Sequence, residues 1–429
     1  MVIKGVSVPH CKTTQDCATR PLLQPDEVTL VMAQHAGKPA VVCVEKGAAV
    51  CVGTKVGAAD GFVSADIHSS VSGTVKAVTT VLTPTGLHAA AVVVESDGKF
   101  TPDPSIAPPS VHDAASLVEA LSHSGIVGLG GAGFPTHVKL SVPQGAKVDT
   151  LIINGAECEP YITSDCRTML EEADAVLDGA LAVGKYLGLS RIVVAIEENK
   201  PDAIALLREK ANGRCEVLCL KSSYPQGAEK VLIYNVTGRV VPAGKLPSDA
   251  GTLVLNVGTA AAIAHYLATG MPLVSRRVTV AGDAVTDPCN LLAPVGTSIK
   301  ALVDAAGGYA GEVEVLLMGG PMMGTALYTD DFPLLKNNNA ILALTKNSTD
   351  LPKNEPCIRC GRCVDTCPMR LSPAEVQTAY EQHDVEMMNE LGALNCMECG
   401  CCTYVCPAKR SITQTMRLAK LAIRKAAKK

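Results

Sequence analysis

Tryptophan is absent from the 429-residue chain, and phenylalanine and tyrosine number only 4 and 9. Large rings therefore cannot fill the interior. Ala, Val, Leu and Gly must do so, which suits compact α/β and β-barrel packing. An excess of one charge sign is also missing, since the formal net charge is −4, and this argues against nucleic acid as a partner. No uncharged apolar run reaches the roughly 18 residues needed to span a bilayer. The nearest, Ala175–Ile196, is interrupted by Asp178, Lys185 and Arg191. The opening MVIKGVSVPHCK lacks the apolar core of a secretory leader. A cytoplasmic or peripheral protein is expected, and the length favours two to four domains.

What is present in excess is cysteine, with 18 residues. In a chain not marked for export, so many thiols point to metal or redox chemistry rather than to disulfides. Eight of them form two copies of one pattern: Cys357-x2-Cys360-x2-Cys363-x3-Cys367-Pro368 and Cys396-x2-Cys399-x2-Cys402-x3-Cys406-Pro407. This is the bacterial ferredoxin spacing, in which three close thiolates hold one [4Fe–4S] cluster and the fourth crosses to the other. Cys357, Cys360, Cys363 and Cys406 are then the ligands of cluster 1, and Cys396, Cys399, Cys402 and Cys367 those of cluster 2. Structural zinc knuckles would account for CxxC pairs. They give no reason for the third close cysteine or the trailing proline. Cys401 falls outside the matched spacing and reads as a bystander.

Upstream, residues 28–100 read as short strands between glycine turns, with Ala40–Val44, Val63–Ala65, Gly73–Val78 and Ala89–Glu95 as candidates. His68–Val75 resembles the hairpin of a biotinyl/lipoyl-type barrel but has no lysine at its tip to carry a swinging cofactor. A Pro-rich linker, Thr101–Ser110, leads into alternating helices and strands: helix Ala114–His123, strand Thr150–Asn154, helix Arg167–Leu187, strand Arg191–Ile196 and helix Pro201–Ala211. Residues 272–325 return to short strands in the manner of a β-grasp (SLBB) module, and a polar segment, Thr345–Glu355, precedes the cysteines. The expected fold class is α/β, in four domains. These are an N-terminal region with the barrel (1–110), a nucleotide-binding α/β domain (111–270), the β-grasp module (271–345), and a helical dicluster domain with a basic C-terminal helix (346–429).

The α/β region carries three candidate nucleotide-binding pieces. Gly128-Leu-Gly-Gly-Ala-Gly-Phe-Pro-Thr-His-Val-Lys139 is glycine-rich, letting backbone N–H groups approach a phosphate. A helix rather than a strand precedes it, so it is no Rossmann fingerprint, and a tight turn is the bland alternative. Asn154-Gly-Ala-Glu157-Cys-Glu159 follows a strand and offers two carboxylates to ribose or ring donors; a solvated acidic turn is the alternative. Asn256-Val-Gly-Thr259 opens an Ala-rich helix whose N-terminus could receive an anion.

GLGGAGFPTHVKL, LIINGAECEPYITSD, YPQGAEKVLIYNVTGR and NVGTAAAI resemble the RnfC family, the NADH-facing subunit of the Rnf ferredoxin:NAD oxidoreductase. More distantly they are similar to the NADH- and flavin-binding subunit of respiratory complex I. AQHAGKPA, IHSSVSGTVKAV, PCIRCGRCVDTCPM and NCMECGCCTYVCP extend the resemblance over nearly the whole chain. It implies FMN and NAD(H) as cofactors beside the clusters. Gly128, Gly130, Gly131 and Gly133 would cradle the FMN phosphate, with Lys139 and Asn256 completing the pocket. Asn154, Glu157 and Glu159 would bind flavin and the nicotinamide ribose, Phe134 would stack on the adenine, and Glu229 would lie near the nucleotide. Leu129 and Gly258 depart from complex I, which has Arg and Glu there, so contacts at those two points differ.

A flavin converts the two-electron hydride of NADH into the single electrons a cluster accepts. No general acid, base or nucleophile is needed, and none is assigned. The resemblance also implies other Rnf membrane and ferredoxin-like subunits as partners, ferredoxin indirectly, and a peripheral place on the cytoplasmic face of the cell membrane. A soluble NADH-dependent reductase serving cobalamin or one dedicated enzyme would keep the same chemistry. A zinc-containing ligand-binding scaffold is a third reading. His35, His68 and His137 read as hydrogen-bonded structural residues, and His10, Cys11 and Cys17 lack a fourth ligand. Cys43, Cys51, Cys158, Cys166, Cys215, Cys219 and Cys289 read mostly as small core residues. Arg417–Lys429 carries six Lys/Arg and no acid; it reads either as a basic helix for anionic lipid or an acidic subunit, or as a solvated helix end.

Overall fold

Valine-rich alternation builds the first module of the chain, whose computed structural model describes residues 4–84, 86–143, 145–349 and 355–427. Strands β1 (Glu27–Val31), β2 (Val41–Val42), β3 (Ala49–Val50), β4 (Lys55–Ala58), β5 (Ile67–His68), β6 (Gly73–Leu82) and β7 (His88–Ser96) form two sheets, β1-β7-β6-β3 and β2-β4-β5. Inward-facing Leu30, Val56, Ile67, Val75, Val92 and Val94 give them one shared core. Val63–Ala65 is a loop rather than the expected strand. Its polar groups bond elsewhere: Ser64 Oγ to Lys38 O at 2.9 Å, and the Ala65 N–H to His35 Nε2 at 3.2 Å.

The second module is a parallel sheet of β8 (Thr150–Gly155), β9 (Arg191–Glu197), β10 (Glu216–Leu220) and β11 (Thr252–Asn256), in the order β10-β9-β8-β11. Helices α1 (Ala114–His123), α2 (Thr136–Leu140), α3 (Ser164–Glu171), α4 (Ala173–Tyr186), α5 (Pro201–Ala211), α6 (Glu229–Thr237) and α7 (Val257–Thr269) surround it. The near-continuous apolar strands reflect burial on both faces. Leu151, Ile153, Val194 and Ile196 pack with α4 and α7, while Ile152, Val193, Ala195 and Val254 pack with α6. The helix expected over Arg167–Leu187 is two helices. Glu172 breaks it at φ −127° and ψ 33°, its carboxylate taken by Arg277 Nη2 at 2.6 Å and His265 Nε2 at 2.8 Å.

A five-stranded mixed sheet follows: β12 (Ser275–Ala281), β13 (Cys289–Pro294), β14 (Val315–Met318), β15 (Thr325–Leu327) and β16 (Ala340–Leu344), ordered β13-β12-β16-β14-β15, with α8 (Ile299–Ala305) sharing its core. Its central strand β16 lies beyond the 272–325 stretch that reads as strands in the sequence, and it pairs in parallel with β12. The last module is helical: α9 (Arg362–Thr366), α10 (Pro373–Glu381), α11 (Val385–Glu390), α12 (Cys401–Tyr404) and α13 (Ile412–Ala426). Of the polar segment Thr345–Glu355, residues 350–354 lie outside the described residues, as do Lys428 and Lys429 of the basic tail.

Two placements depart from the sequence reading. The apolar face of α13 is not left free for a lipid surface: Ile412, Met416, Ala419 and Ile423 are buried against the cysteine-bearing helices. Residues 4–24, grouped with the barrel by sequence, run instead as a strap over the other three modules. Val6 pairs with Tyr224, Thr14 Oγ1 meets Thr163 Oγ1 at 2.6 Å, and Arg20 bridges to Leu291. Thr366 Oγ1 of α9 donates to Gly5 O at 2.8 Å.

Candidate functional site

Parallel pairing of β8 with β11 sets Asn154 directly beside Asn256 at the strands' C-terminal ends, where open α/β sheets bind ligands. Asn256 caps α7: its Oδ1 accepts from the Gly258 N–H at 2.8 Å, and its Nδ2 donates to Asp165 Oδ2 at 2.7 Å. Asn154 Nδ2 donates to Gly227 O at 2.9 Å, and its Oδ1 accepts from the Ala156 N–H at 3.0 Å. The glycine loop stands against this edge. It is closed by the Gly128 N–H to Phe134 O at 2.8 Å and tied to α7 by the Leu129 N–H to Thr259 Oγ1 at 3.0 Å. Gly131 and Gly133 take φ of +131° and +62°. A Cβ on Gly130 would stand 3.3 Å from Asn256. The exposed Gly130–Ala132 backbone thus lies beside the N-terminus of a 13-residue helix, an arrangement that fits a phosphate. Phe134 is half-buried at the loop's end.

The loop's outer side is braced by other modules. Asn337 Nδ2 donates to Gly131 O at 2.7 Å, and the Ala36 N–H to Gly133 O at 3.0 Å. Lys139 and Glu229 come together: Lys139 Nζ donates to Glu229 Oε1 at 2.5 Å and to Val254 O at 2.9 Å.

The two carboxylates of the Glu157–Glu159 turn have partners inside the protein. Glu157 is buried and accepts from the Asp165 N–H at 2.7 Å and the Cys166 N–H at 3.4 Å, in the first turn of α3. Burial pushes its carboxyl up, against the pull of Lys12. Glu159 reaches the β-grasp module, where Oε2 accepts from the Met322 N–H at 3.1 Å and Oε1 from the Met323 N–H at 2.9 Å. Desolvation raises it to about 7. Cys158 is pushed up to about 12, chiefly by burial and then by Glu197. The adjacent glutamates are not the main cause.

Sequence reasoning missed the cations beneath this turn. Lys12 of the strap donates to the carbonyls of Glu157, Glu159 and Ile162 at 2.9, 3.1 and 2.5 Å, and lies 3.8 Å from Glu157 Oε2. Lys200 is fully buried and within 3.5 Å of Glu157 O. Arg276 of β12 donates to Leu129 O at 2.7 Å and Asn338 O at 3.0 Å, and its burial brings it down to about 10. A Cβ on Gly258 would stand 3.4 Å from Arg276 Nη1 and 3.7 Å from Leu129 Cδ1. This guanidinium therefore stands where both departures from the complex I pattern meet. No local signal marked these residues, because each comes from a distant segment.

The two cysteine motifs fold alike. The second residue after each leading cysteine is left-handed (Arg359 φ +53°, Glu398 φ +61°) and aims its N–H at that cysteine's sulfur, at 3.4 and 3.3 Å. A left-handed glycine, Gly361 or Gly400, then starts α9 or α12. Cys367, Cys396, Cys399 and Cys402 line one cavity with about 360 Å³ of empty space, bringing all four cluster 2 cysteines together. Pro368, Met397 and Met416 complete an apolar wall. For cluster 1, Cys363 is buried and Cys406 half-buried in the same domain core, while Cys357 and Cys360 lie at the surface. Burial raises Cys363, and the nearby Cys357 adds to it. Among the described residues, no three Cys, His, Asp or Glu side chains converge as the ligands of one ion would. Thiolates spread around a cavity suit a multi-iron cluster.

Two contacts join the cluster 2 motif to the nucleotide end. Tyr224 Oη donates to Cys399 O at 2.6 Å, and a Cβ on Gly400 would stand 2.7 Å from Met322 O, on the turn that Glu159 holds. Cys401 is buried, with its sulfur 4.0 Å from Tyr224 O. Of the remaining thiols, Cys43 and Cys219 are exposed rather than core residues, Cys219 because β10 is an edge strand. His35 bonds Ala36 O and the Ala65 N–H, and His137 bonds Phe62 O. His10 Nδ1 lies 3.3 Å from Asn199 Nδ2.

Comparison with known proteins matches four domain families along the chain. They are the RnfC barrel sandwich hybrid domain (residues 1–99), the Nuo51 FMN-binding domain (121–265), the SLBB domain (277–326) and a 4Fe-4S dicluster domain (351–407). The chain is 43% identical over 405 residues to the RnfC subunit of the Na(+)-translocating ferredoxin:NAD(+) oxidoreductase complex of Acetobacterium woodii, covering 93% of this chain and 91% of that one. It is 43% identical over 402 residues to the corresponding subunit of the proton-translocating complex of Clostridium ljungdahlii, covering 92% and 88%. The corresponding subunit of the ion-translocating oxidoreductase complex of Rhodobacter capsulatus is 38% identical over 418 residues, covering 96% and 80%. Among solved structures, a chain of an NAD+-reducing [NiFe]-hydrogenase in the H2-reduced state shares the fold, with a TM-score of 0.50 at 17% identity over 73% of this chain and 63% of that one. With this identity over nearly its whole length, the chain belongs to the RnfC family of subunits of the ion-translocating ferredoxin:NAD(+) oxidoreductase complexes, and it carries an FMN-binding domain and a 4Fe–4S dicluster domain.

Proposed function

We propose that this chain carries electrons between NAD(H) and two [4Fe–4S] clusters by way of FMN, as the peripheral RnfC-type subunit of a ferredoxin:NAD+ oxidoreductase complex. The observation that carries the reading is the Tyr224–Cys399 contact, where a loop of the FMN-binding domain donates a hydrogen bond to the backbone of a cluster ligand. When bound, FMN supplies the conversion of a hydride into single electrons. The chain's own work is to hold and orient. The glycine loop and the α7 N-terminus receive phosphate, and Asn154 and Asn256 fix the strand ends beneath it. Lys12, Glu157 and Glu159 set the turn on which nucleotide and ring would rest. Burial of the cluster 2 cavity among Met397, Met416 and Pro368 excludes water from that cluster. Because no helix among the described residues is long and apolar enough to cross a membrane, ion movement belongs to other subunits in this reading, and the chain sits on the cytoplasmic face beside them.

The test is anaerobic: NADH is mixed with the flavin- and cluster-loaded protein while flavin absorbance and cluster EPR are followed. Flavin bleaching followed by reduction of both clusters is expected. In Glu157→Gln, bleaching should slow at least tenfold with cluster content unchanged. Clusters that dithionite reduces but NADH does not would overturn the reading. Affinity purification from native membranes should recover integral membrane subunits; recovery with a single soluble enzyme would remove the complex from the proposal.

A further inference from the structure

The two cysteine motifs share one backbone but place opposite charges at the same point. The left-handed residue behind the leading cysteine is Arg359 in the first motif and Glu398 in the second. Arg359 is exposed. Glu398 is clamped by α13, with Arg417 Nε 3.1 Å from its Oε2 and Lys420 Nζ against its Oε1. Lys420 also donates to the carbonyl of Cys396 at 3.0 Å, and its side chain is only 13% exposed. A long cationic side chain is thus held among protein atoms, one hydrogen bond from a cluster 2 ligand. These contacts also account for basic residues on α13 that the sequence alone leaves to lipid, partner or solvent.

We propose that Lys420 is a positioning and tuning residue for cluster 2: it raises that cluster's reduction potential, while Glu398 opposes it. The inference rests on Cys396, Cys399, Cys402 and Cys367 being the ligands. Reduction adds one electron, and so one negative charge, to a cluster. A nearby cation held out of water stabilises the reduced form, and a carboxylate destabilises it. Second-shell groups act on a metal centre in this way without touching the metal. Cluster 1 has no counterpart of this clamp among the described residues, so the two clusters are expected to titrate apart.

The experiment is a mediated redox titration of the anaerobically purified full chain, followed by EPR, with iron content measured in parallel. Lys420→Gln should move one of the two components to lower potential and leave the other in place. Glu398→Gln should move the same component upward, and Lys420→Arg should stay close to the unaltered protein. Opposite shifts from the two neutralising variants mark a charge effect, because loosened packing gives no such sign reversal. Unchanged midpoints in Lys420→Gln, or shifts of the same sign in both variants, would overturn the proposal. Should Lys420→Gln lose iron, Glu398→Gln and Arg417→Gln decide between these outcomes. An unaltered chain that carries fewer than two clusters would instead sink the ligand assignment itself.

Discussion

Lys12 sits among three carbonyl oxygens and the Glu157 carboxylate, with its side chain 5% exposed. Burial brings its pKa down while Glu157 opposes the shift. Removing one member of such a buried set leaves the others desolvated and unpaired, at a cost of about 3–5 kcal/mol. Lys12→Met is therefore expected to loosen the Glu157–Ile162 turn and the first turn of α3. Hydrogen exchange at the Asp165 and Cys166 amides should accelerate at least tenfold, with cluster EPR unchanged; unaltered exchange would show that the turn stands without the lysine. At this scale the sequence was uneven. Cysteine ligands are legible because their chemistry fixes a short spacing, and the glycine loop because close approach to a phosphate needs missing Cβ atoms. Lys12 and Arg276 were not, since a buried cation in a distant segment leaves no local pattern. Glu157 and Glu159 were noticed as open carboxylates, whereas their oxygens accept backbone N–H groups of α3 and of the β-grasp module.

Among the elements, the α4–α7 contact sets the position of the Asn256 cap. The two helices approach so closely at Gly179 that an added Cβ would lie 1.9 Å from Ala260 O, a backbone atom that cannot swing aside. Gly179→Ala must push α7 outward or strain α4, at an overpacking cost of about 1–3 kcal/mol. Weaker FMN retention on gel filtration and a lower unfolding temperature are expected together. Retained flavin at a lowered temperature would mean that the strain is absorbed in α4. Strands and helices of this module were legible from periodicity, because each strand buries alternate residues on two helix layers. The break between α3 and α4 was not, since the residues that take Glu172 out of helical geometry, Arg277 and His265, lie about a hundred positions away. β16 escaped for a related reason: it joins the sheet beside β12 after a long excursion, and its run Ala340–Leu344 carries no turn signal linking it back.

For the whole molecule the decisive element is the strap, which reads as featureless in sequence yet touches the nucleotide turn, Tyr224 and α9. The Val6 N–H donates to Tyr224 O at 2.8 Å and Val6 O accepts from the Tyr224 N–H at 3.0 Å, while Gly5 O is held by Thr366 of the first cysteine motif. Gly5 permits this approach, since a Cβ there would stand 2.3 Å from Tyr224 O. Tyr224 in turn holds the backbone of Cys399. The strap is thus pinned to both partners of the contact through which the FMN-binding domain meets the cluster domain. Proline at position 6 removes the donor and leaves the Tyr224 carbonyl without that bond. Its effect should fall on the coupling between domains rather than on either domain alone. In Val6→Pro, flavin bleaching by NADH should keep its rate, while the following reduction of the clusters slows at least tenfold with iron content unchanged. Equal slowing of both phases would place the strap's role at the Lys12 turn. An unchanged second phase would show that Glu159 and the Met322–Met323 turn suffice to hold the domains together.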